Sequence, residues 1–146
     1  MGILERLQSD LTDAMKAKRE PERTVLRSLT AALKNAAIES GGALDDAKEA
    51  SVVAKQLKQR EESAAAAKGR PELADRERAE AEIIKQYLPE RLSDEEVDAA
   101  IDAAISETGA AGPGDIGKVM GALKGKTAGR ADQGAVAAKV KERLGA

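Results

Sequence analysis

Alanine fills 30 of the 146 positions, and Tyr87 is the only aromatic residue. That pairing constrains the fold more than any other feature of the chain. Alanine is the best helix former, whereas sheets are packed by β-branched and aromatic side chains. Ile, Leu and Val together number 27, a little under the roughly 20% level that accompanies disorder in highly charged chains. The net charge is only −2, so a folded chain is expected. The predicted class is all-α, with small-residue helix contacts: an N-terminal four-helix domain followed by a small C-terminal three-helix domain.

Apolar spacing places the helices. Ile3, Leu4, Leu7, Leu11, Ala14 and Met15 recur every three or four residues and predict a helix over 3–18. Val25, Leu26, Leu29 and Leu33 predict a second over about 21–39, with Arg23, Arg27 and Lys34 largely outside its apolar stripe. Ser40-Gly41-Gly42 stops it. A third helix is expected from Asp45 or Asp46 to about Lys68, with thin apolar content. A fourth, strongly charged helix is expected over 71–88, ending at Pro89. Ser93-Asp-Glu-Glu96 is a capping box and starts a helix over 94–108. Asp115 and Asp132 are the expected caps of helices over 116–124 and 133–144, with loops at 109–114 and 125–131. The domain boundary is placed near Pro89, giving domains 1–90 and 91–146.

Missing residue types exclude much chemistry. The chain has no cysteine and no histidine. Disulfides, iron–sulfur clusters, thiolate zinc sites and histidine triads are therefore out of reach. The carboxylates at Glu77/Glu80/Glu82 and Asp94/Glu95/Glu96/Asp98 read as solvated helix faces rather than acid–base pairs or a magnesium site. No catalytic residue, metal ligand or cofactor is expected. No apolar run approaches the roughly 18 residues of a membrane span, and the N-terminus lacks the shape of a signal peptide. A cytoplasmic chain with no membrane partner is expected.

Two glycine patterns invite a phosphate reading. Gly121-Ala-Leu-Lys-Gly125-Lys126-Thr127 falls one residue short of a Walker A loop and follows a helix rather than a strand. It reads as a helix C-terminus with a glycine stop. Gly117 and Gly121 stand one helical turn apart. Close helix packing is the favoured explanation; close approach of a phosphate is the alternative. Tyr87 reads as a core plug before Pro89.

Charge is unevenly distributed. Residues 1–92 carry 17 basic and 17 acidic side chains; residues 93–108 carry six acidic and no basic ones. Residues 109–146 carry seven basic and three acidic ones, a net of +4. Basic side chains in this tail can contact phosphates. With one aromatic there is no base-stacking platform, so contact with RNA would read backbone and shape.

The segments Gln86-Tyr-Leu-Pro-Glu-Arg-Leu-Ser-Asp-Glu-Glu96, Glu107-Thr-Gly109, Gly117-Lys-Val-Met-Gly121 and Gly129-Arg-Ala-Asp132 resemble the YqeY family over essentially the whole chain. The tail also resembles the C-terminal domain of the B subunit of glutamine-dependent tRNA amidotransferase. The matching positions are Gly117, Val119, Met120, Gly129, Arg130, Ala131, Asp132, Val136 and Leu144. Where that pattern often has proline after Asp/Asn, this chain has Gln133. The resemblance implies a helical N-terminal domain, a three-helix tail and a stand-alone module that handles tRNA, without the parts that perform amidotransferase chemistry.

The function expected is a non-catalytic accessory protein that contacts tRNA, or an aminoacyl-tRNA amidotransferase or synthetase assembly. DNA is not an expected partner. Lys118, Lys124, Lys126 and Arg130 are the expected phosphate contacts. Tyr87, Pro89, Gly117, Gly121, Gly129 and Asp132 are the expected structural motif. A helical protein–protein adaptor is the alternative, because the third helix is long, alanine-rich and thinly apolar and so calls for a partner or a second copy. A carbon–nitrogen ligase activity follows from family association only.

Overall fold

The structure is a computed structural model and describes residues 2–145. The described residues form seven α-helices and one 3-10 turn, with no strand. The helices are α1 (Ile3–Ala17), α2 (Glu22–Ser40), α3 (Asp46–Ala66), α4 (Pro71–Lys85), α5 (Asp94–Thr108), α6 (Ile116–Thr127) and α7 (Gln133–Arg143). The fold is all-α. It divides into two compact units, Met1–Leu88 and Pro89–Ala146.

In the first unit α1 lies against α2, and α3 lies along α4. Leu7, Val25, Leu29, Leu33, Val53 and Ile84 are fully buried at its centre. Small residues such as Ala14 and Ala81 complete the core, letting helices approach where aromatics are absent. The third helix does not lack a partner: Ala50, Val53, Leu57 and Ala64 are buried, and α4 supplies the facing surface. That removes the observation that suggested an adaptor.

Two long-range contacts fasten this unit. Glu49 is a buried carboxylate on α3. It accepts from the backbone N–H groups of Ile3 at 3.1 Å and Leu4 at 3.3 Å. It thereby caps the N-terminus of α1, whose own N-cap, Gly2, supplies no side chain. A Cβ at Gly2 would come within 2.8 Å of Glu49 Oε1, so the cap needs glycine there. Tyr87 is buried as expected, and its hydroxyl donates to Asp10 Oδ2 at 2.5 Å. Burial, then the Asp10 carboxylate, push the phenol well above its ordinary range. Arg6 sits over the Tyr87 ring, 5.2 Å from its centroid. It also donates to the Gln86 carbonyl at 3.1 Å.

The fourth helix ends at Lys85 rather than at residue 88. Gln86, Tyr87 and Leu88 each donate to the carbonyl three residues earlier. This tightened turn carries Tyr87 inward, and the helix stops ahead of Pro89, whose ring disfavours the α region for the residue before it.

In the second unit α5 lies against α6 and α6 against α7. Ile101, Val119, Leu123, Val136 and Val140 form the core. Ser93 and Glu96 make the expected reciprocal capping box, both bonds at 3.1 Å. The 109–114 segment leads into a 3-10 turn over Pro113–Asp115. Asp115 stands at the N-cap of α6 but makes no side-chain cap bond. Its carboxylate instead accepts from the Ala111 N–H at 3.0 Å.

Candidate nucleic-acid interface

The sixth helix runs three residues past its expected end, through Gly125, Lys126 and Thr127. Thr127 is fully buried, and its hydroxyl donates to the Leu123 carbonyl at 3.1 Å. Gly125 is therefore not the stop. The chain turns at Gly129, whose φ of 73° is one that glycine adopts without a Cβ clash.

This extension makes the exposed side of α6 a row of glycines. At about 100° per residue, Gly117, Gly121 and Gly125 fall within roughly 80° of one another along some 12 Å of helix. All three are exposed, and a Cβ at any of them would meet nothing within 4 Å. The expected close packing of Gly117 and Gly121 inside this unit does not occur. Val119 and Leu123, on the opposite side, are fully buried. Each helical glycine costs about 1 kcal/mol relative to alanine. Nothing within the unit uses the space that this cost provides.

Lysines flank the row. Lys118 is on one side, with its side chain 68% exposed and Nζ 3.7 Å from Asp115. Lys124 is on the other, exposed and without a carboxylate partner among the described residues. Lys126 lies further round the helix, 3.9 Å from Glu107. Both measured pairs are loose and solvated, and such contacts contribute little. The three lysines share one helix, and all three are exposed.

Arg130 stands apart from them. Its Nε donates to the Glu90 carbonyl at 2.9 Å, and its own carbonyl accepts from Leu92 N–H at 2.8 Å. It clasps the 90–92 segment to the loop after α6. Gln133 pins the same loop, its side-chain amide donating to Thr127 Oγ1 and the Thr127 carbonyl, both at 3.1 Å. Asp132 caps α7 as expected, accepting from Gly134 N–H at 2.9 Å. Gly129, Arg130 and Asp132 thus form a hydrogen-bonded turn after the end of α6. Pro89 is exposed in the segment that precedes the capping box.

Much of the basic tail is used within the unit. Lys139 Nζ lies 3.1 Å from Asp98, and Arg143 binds both Asp98 and Asp102. Asp98 and Asp102 thus hold Lys139 and Arg143, so the open cations of the tail are those of α6 and Lys141, in a unit whose residues 89–146 sum to −2. A depression of about 130 Å³ lies beside α5 and α7. Arg91 and Lys139 face Asp94 and Asp132 across it, so it has no net preference for an anion. Ligand pockets usually measure about 300 Å³ or more. Among the described residues no group of acidic side chains could hold a metal ion, and no helix is long and apolar enough to cross a membrane.

Gly125 is the member of the row that sequence reading missed. The continued spacing of four residues from Gly117 and Gly121 was the available signal. The Asp98–Lys139 and Asp102–Arg143 pairs were also missed, because they join residues some 40 positions apart.

An all-helical chain with a glycine-lined, lysine-edged helix in its C-terminal unit defines the class. The Yqey-like protein model matches residues 4–144, and the chain belongs to the YqeY family. Relatives carry the name "Altered inheritance of mitochondria protein 41, mitochondrial". The one from Pyrenophora tritici-repentis is 28% identical over 151 residues, covering 99% of this chain and 82% of the relative. The one from Clavispora lusitaniae is 37% identical over 110 residues, covering 73% and 64%. The one from Lachancea thermotolerans is 34% identical over 106 residues, covering 69% and 57%. The matched part is therefore less than two thirds of the last two relatives. These names overturn the cytoplasmic expectation. Its grounds, the lack of cysteine and of a long apolar run, do not separate the cytosol from a mitochondrial compartment.

Proposed function

We propose that this protein is a non-catalytic accessory factor that contacts tRNA through the exposed face of α6. The observation that carries this reading is the row of Gly117, Gly121 and Gly125, open to solvent and edged by Lys118 and Lys124. Glycines let a phosphate backbone come close to the helix, and the lysines supply counter-charge from either side. Lys126 extends the contact toward the last turn. Arg130 is assigned to the same contact through the guanidinium N–H groups other than Nε. The hydrogen-bonded 129–132 turn holds these groups in register. The resemblance of the tail to the tRNA amidotransferase B subunit supports tRNA as the RNA, and an amidotransferase or synthetase assembly as the setting. The relatives' names support a mitochondrial setting. The two units are assigned as separate domains, with the boundary two residues earlier than a division into 1–90 and 91–146, so that Glu90 and Arg130 belong to the same one.

The test is a titration of the full chain with total tRNA and with a length-matched DNA duplex at several salt concentrations. Salt-sensitive binding that prefers tRNA is expected. The pair Lys118→Glu/Lys124→Glu should weaken it and lower the salt slope by about 2, one for each lost phosphate contact. An unchanged slope removes the assignment.

A further inference from the structure

The first unit is neutral in sum, but its charge is not evenly placed. Residues 16–34 hold six basic and two acidic side chains, a net of +4, while 1–15 and 35–88 are each net −2. Both acids of the basic stretch are taken locally. Glu22 pairs with Arg19 at 2.8 Å and Glu20 with Arg23 at 2.9 Å. Glu20 also accepts from the Thr24 hydroxyl at 2.9 Å, which holds its carboxyl below the usual range. Lys16, Lys18, Arg27 and Lys34 remain exposed, with no carboxylate partner among the described residues.

The arrangement on α2 runs against helix stability. Positions three and four residues from Arg27 are Arg23, Thr24, Thr30 and Ala31; those from Lys34 are Thr30, Ala31, Ala37 and Ile38. None is acidic. Arg23 and Arg27 are like charges at the i,i+4 spacing, which destabilises a helix. By contrast, α4 fills this kind of spacing with opposite charges, Asp75 with Arg78 at 3.0 Å and Glu82 with Lys85 at 2.9 Å. Arg23, Arg27 and Lys34 lie within about 40° of one another and extend roughly 16 Å along the outer face.

We propose that this face of α2, with Lys16 and Lys18 at the corner that leads into it, is a second surface for the phosphodiester backbone of RNA. It rests on reading the chain as an RNA-contacting protein, and it is carried by different residues. A straight row of cations, of which Arg27 and Lys34 have no carboxylate partner and Arg23 is paired with Glu20, suits a chain of phosphates, where binding comes from counterion release. It suits a bilayer poorly. Of the exposed large apolar side chains, Met15 is on α1, Leu73 on α4 and Ile38 alone on α2, so this face carries no apolar wedge. The one aromatic, Tyr87, is buried, so the contact follows the backbone and not the bases.

The experiment measures tRNA binding by the full chain across a salt series, with phosphatidylglycerol vesicles as a second probe. Wild type is compared with Arg27→Glu/Lys34→Glu and with Lys118→Glu/Lys124→Glu, each checked for helix content. The α2 pair is expected to weaken tRNA binding tenfold or more and to lower the salt slope by about 2. If it fails to fold, Arg27→Gln/Lys34→Gln is expected to lower the slope similarly. An unchanged slope with the α2 pair and a lowered one with the α6 pair overturns this inference and leaves the α6 assignment standing. The converse keeps this surface and removes the α6 assignment. Wild-type binding to vesicles but not to tRNA overturns both.

Discussion

Two exposed helix surfaces, those of α4 and α6, have been built on opposite terms. The α4 surface carries charges paired along its own length, and it contains no glycine. It is made to be stable in water. The α6 surface carries three glycines with nothing near them and lysines that are loosely paired or unpaired. Its cost in helix propensity is about 3 kcal/mol, borne by a unit of fewer than 60 residues. A surface that gives up stability without an internal return is the better candidate for a binding face.

The buried side of α6 has to hold the helix in place despite that cost. Leu123 is fully buried there. Leu123→Ala should destabilise the second unit by about 3 kcal/mol, read from denaturant unfolding, and should weaken tRNA binding at the α6 face with it. A loss under about 1 kcal/mol would mean that α6 is not held by this core. In the first unit, the Glu49 cap of α1 takes the corresponding place. Glu49→Ala should cost about 2 kcal/mol and leave tRNA affinity at the α6 face unaltered.

A smaller effect is expected at the start of α5. Ser93→Ala removes one half of the capping box and should cost about 1 kcal/mol. The backbone N–H of Ser93, then its side chain, hold the Glu96 carboxyl below its ordinary range. A carboxyl lowered in the folded state contributes stability above its unfolded pKa, and this is lost as pH falls through the folded one. The second unit should therefore weaken below about pH 4.5, and Glu96→Gln should flatten that part of the pH profile. Glu80 works in the other direction. Burial raises its pKa, against the Arg60 cation, which lowers it. The folded state then holds the proton more tightly, so stability should fall as pH rises from 4.5 through the folded value. Glu80→Gln should remove that fall. A pH profile identical to wild type would contradict the burial of Glu80 against α3.

The sequence was most legible where structure is local. The capping box placed α5 at 94–108, and Asp45, Asp132 and the glycine at 41 marked the other helix ends where they are found. It was less legible where glycine has two meanings. Gly125 looked like a stop but lies within the helix, because the buried Thr127 and its bond to Leu123 carry the helix onward. Contacts between distant positions left no local mark. Glu49 carried no signal of its cap on α1, and Arg130, read as a phosphate contact, gave none of its bond to Glu90. The phosphate-facing lysines were visible as a charged tail, but their separation from Lys139 and Arg143 depends on how α5 meets α7.

The most direct measurement replaces Gly117, Gly121 and Gly125 by alanine together and follows thermal stability and tRNA affinity in the same protein. Alanine fits all three sites without a clash. Stability should rise by up to about 1 kcal/mol per site, while tRNA binding weakens because the backbone can no longer approach. A more stable protein that binds tRNA as tightly as wild type would contradict the role assigned to this face.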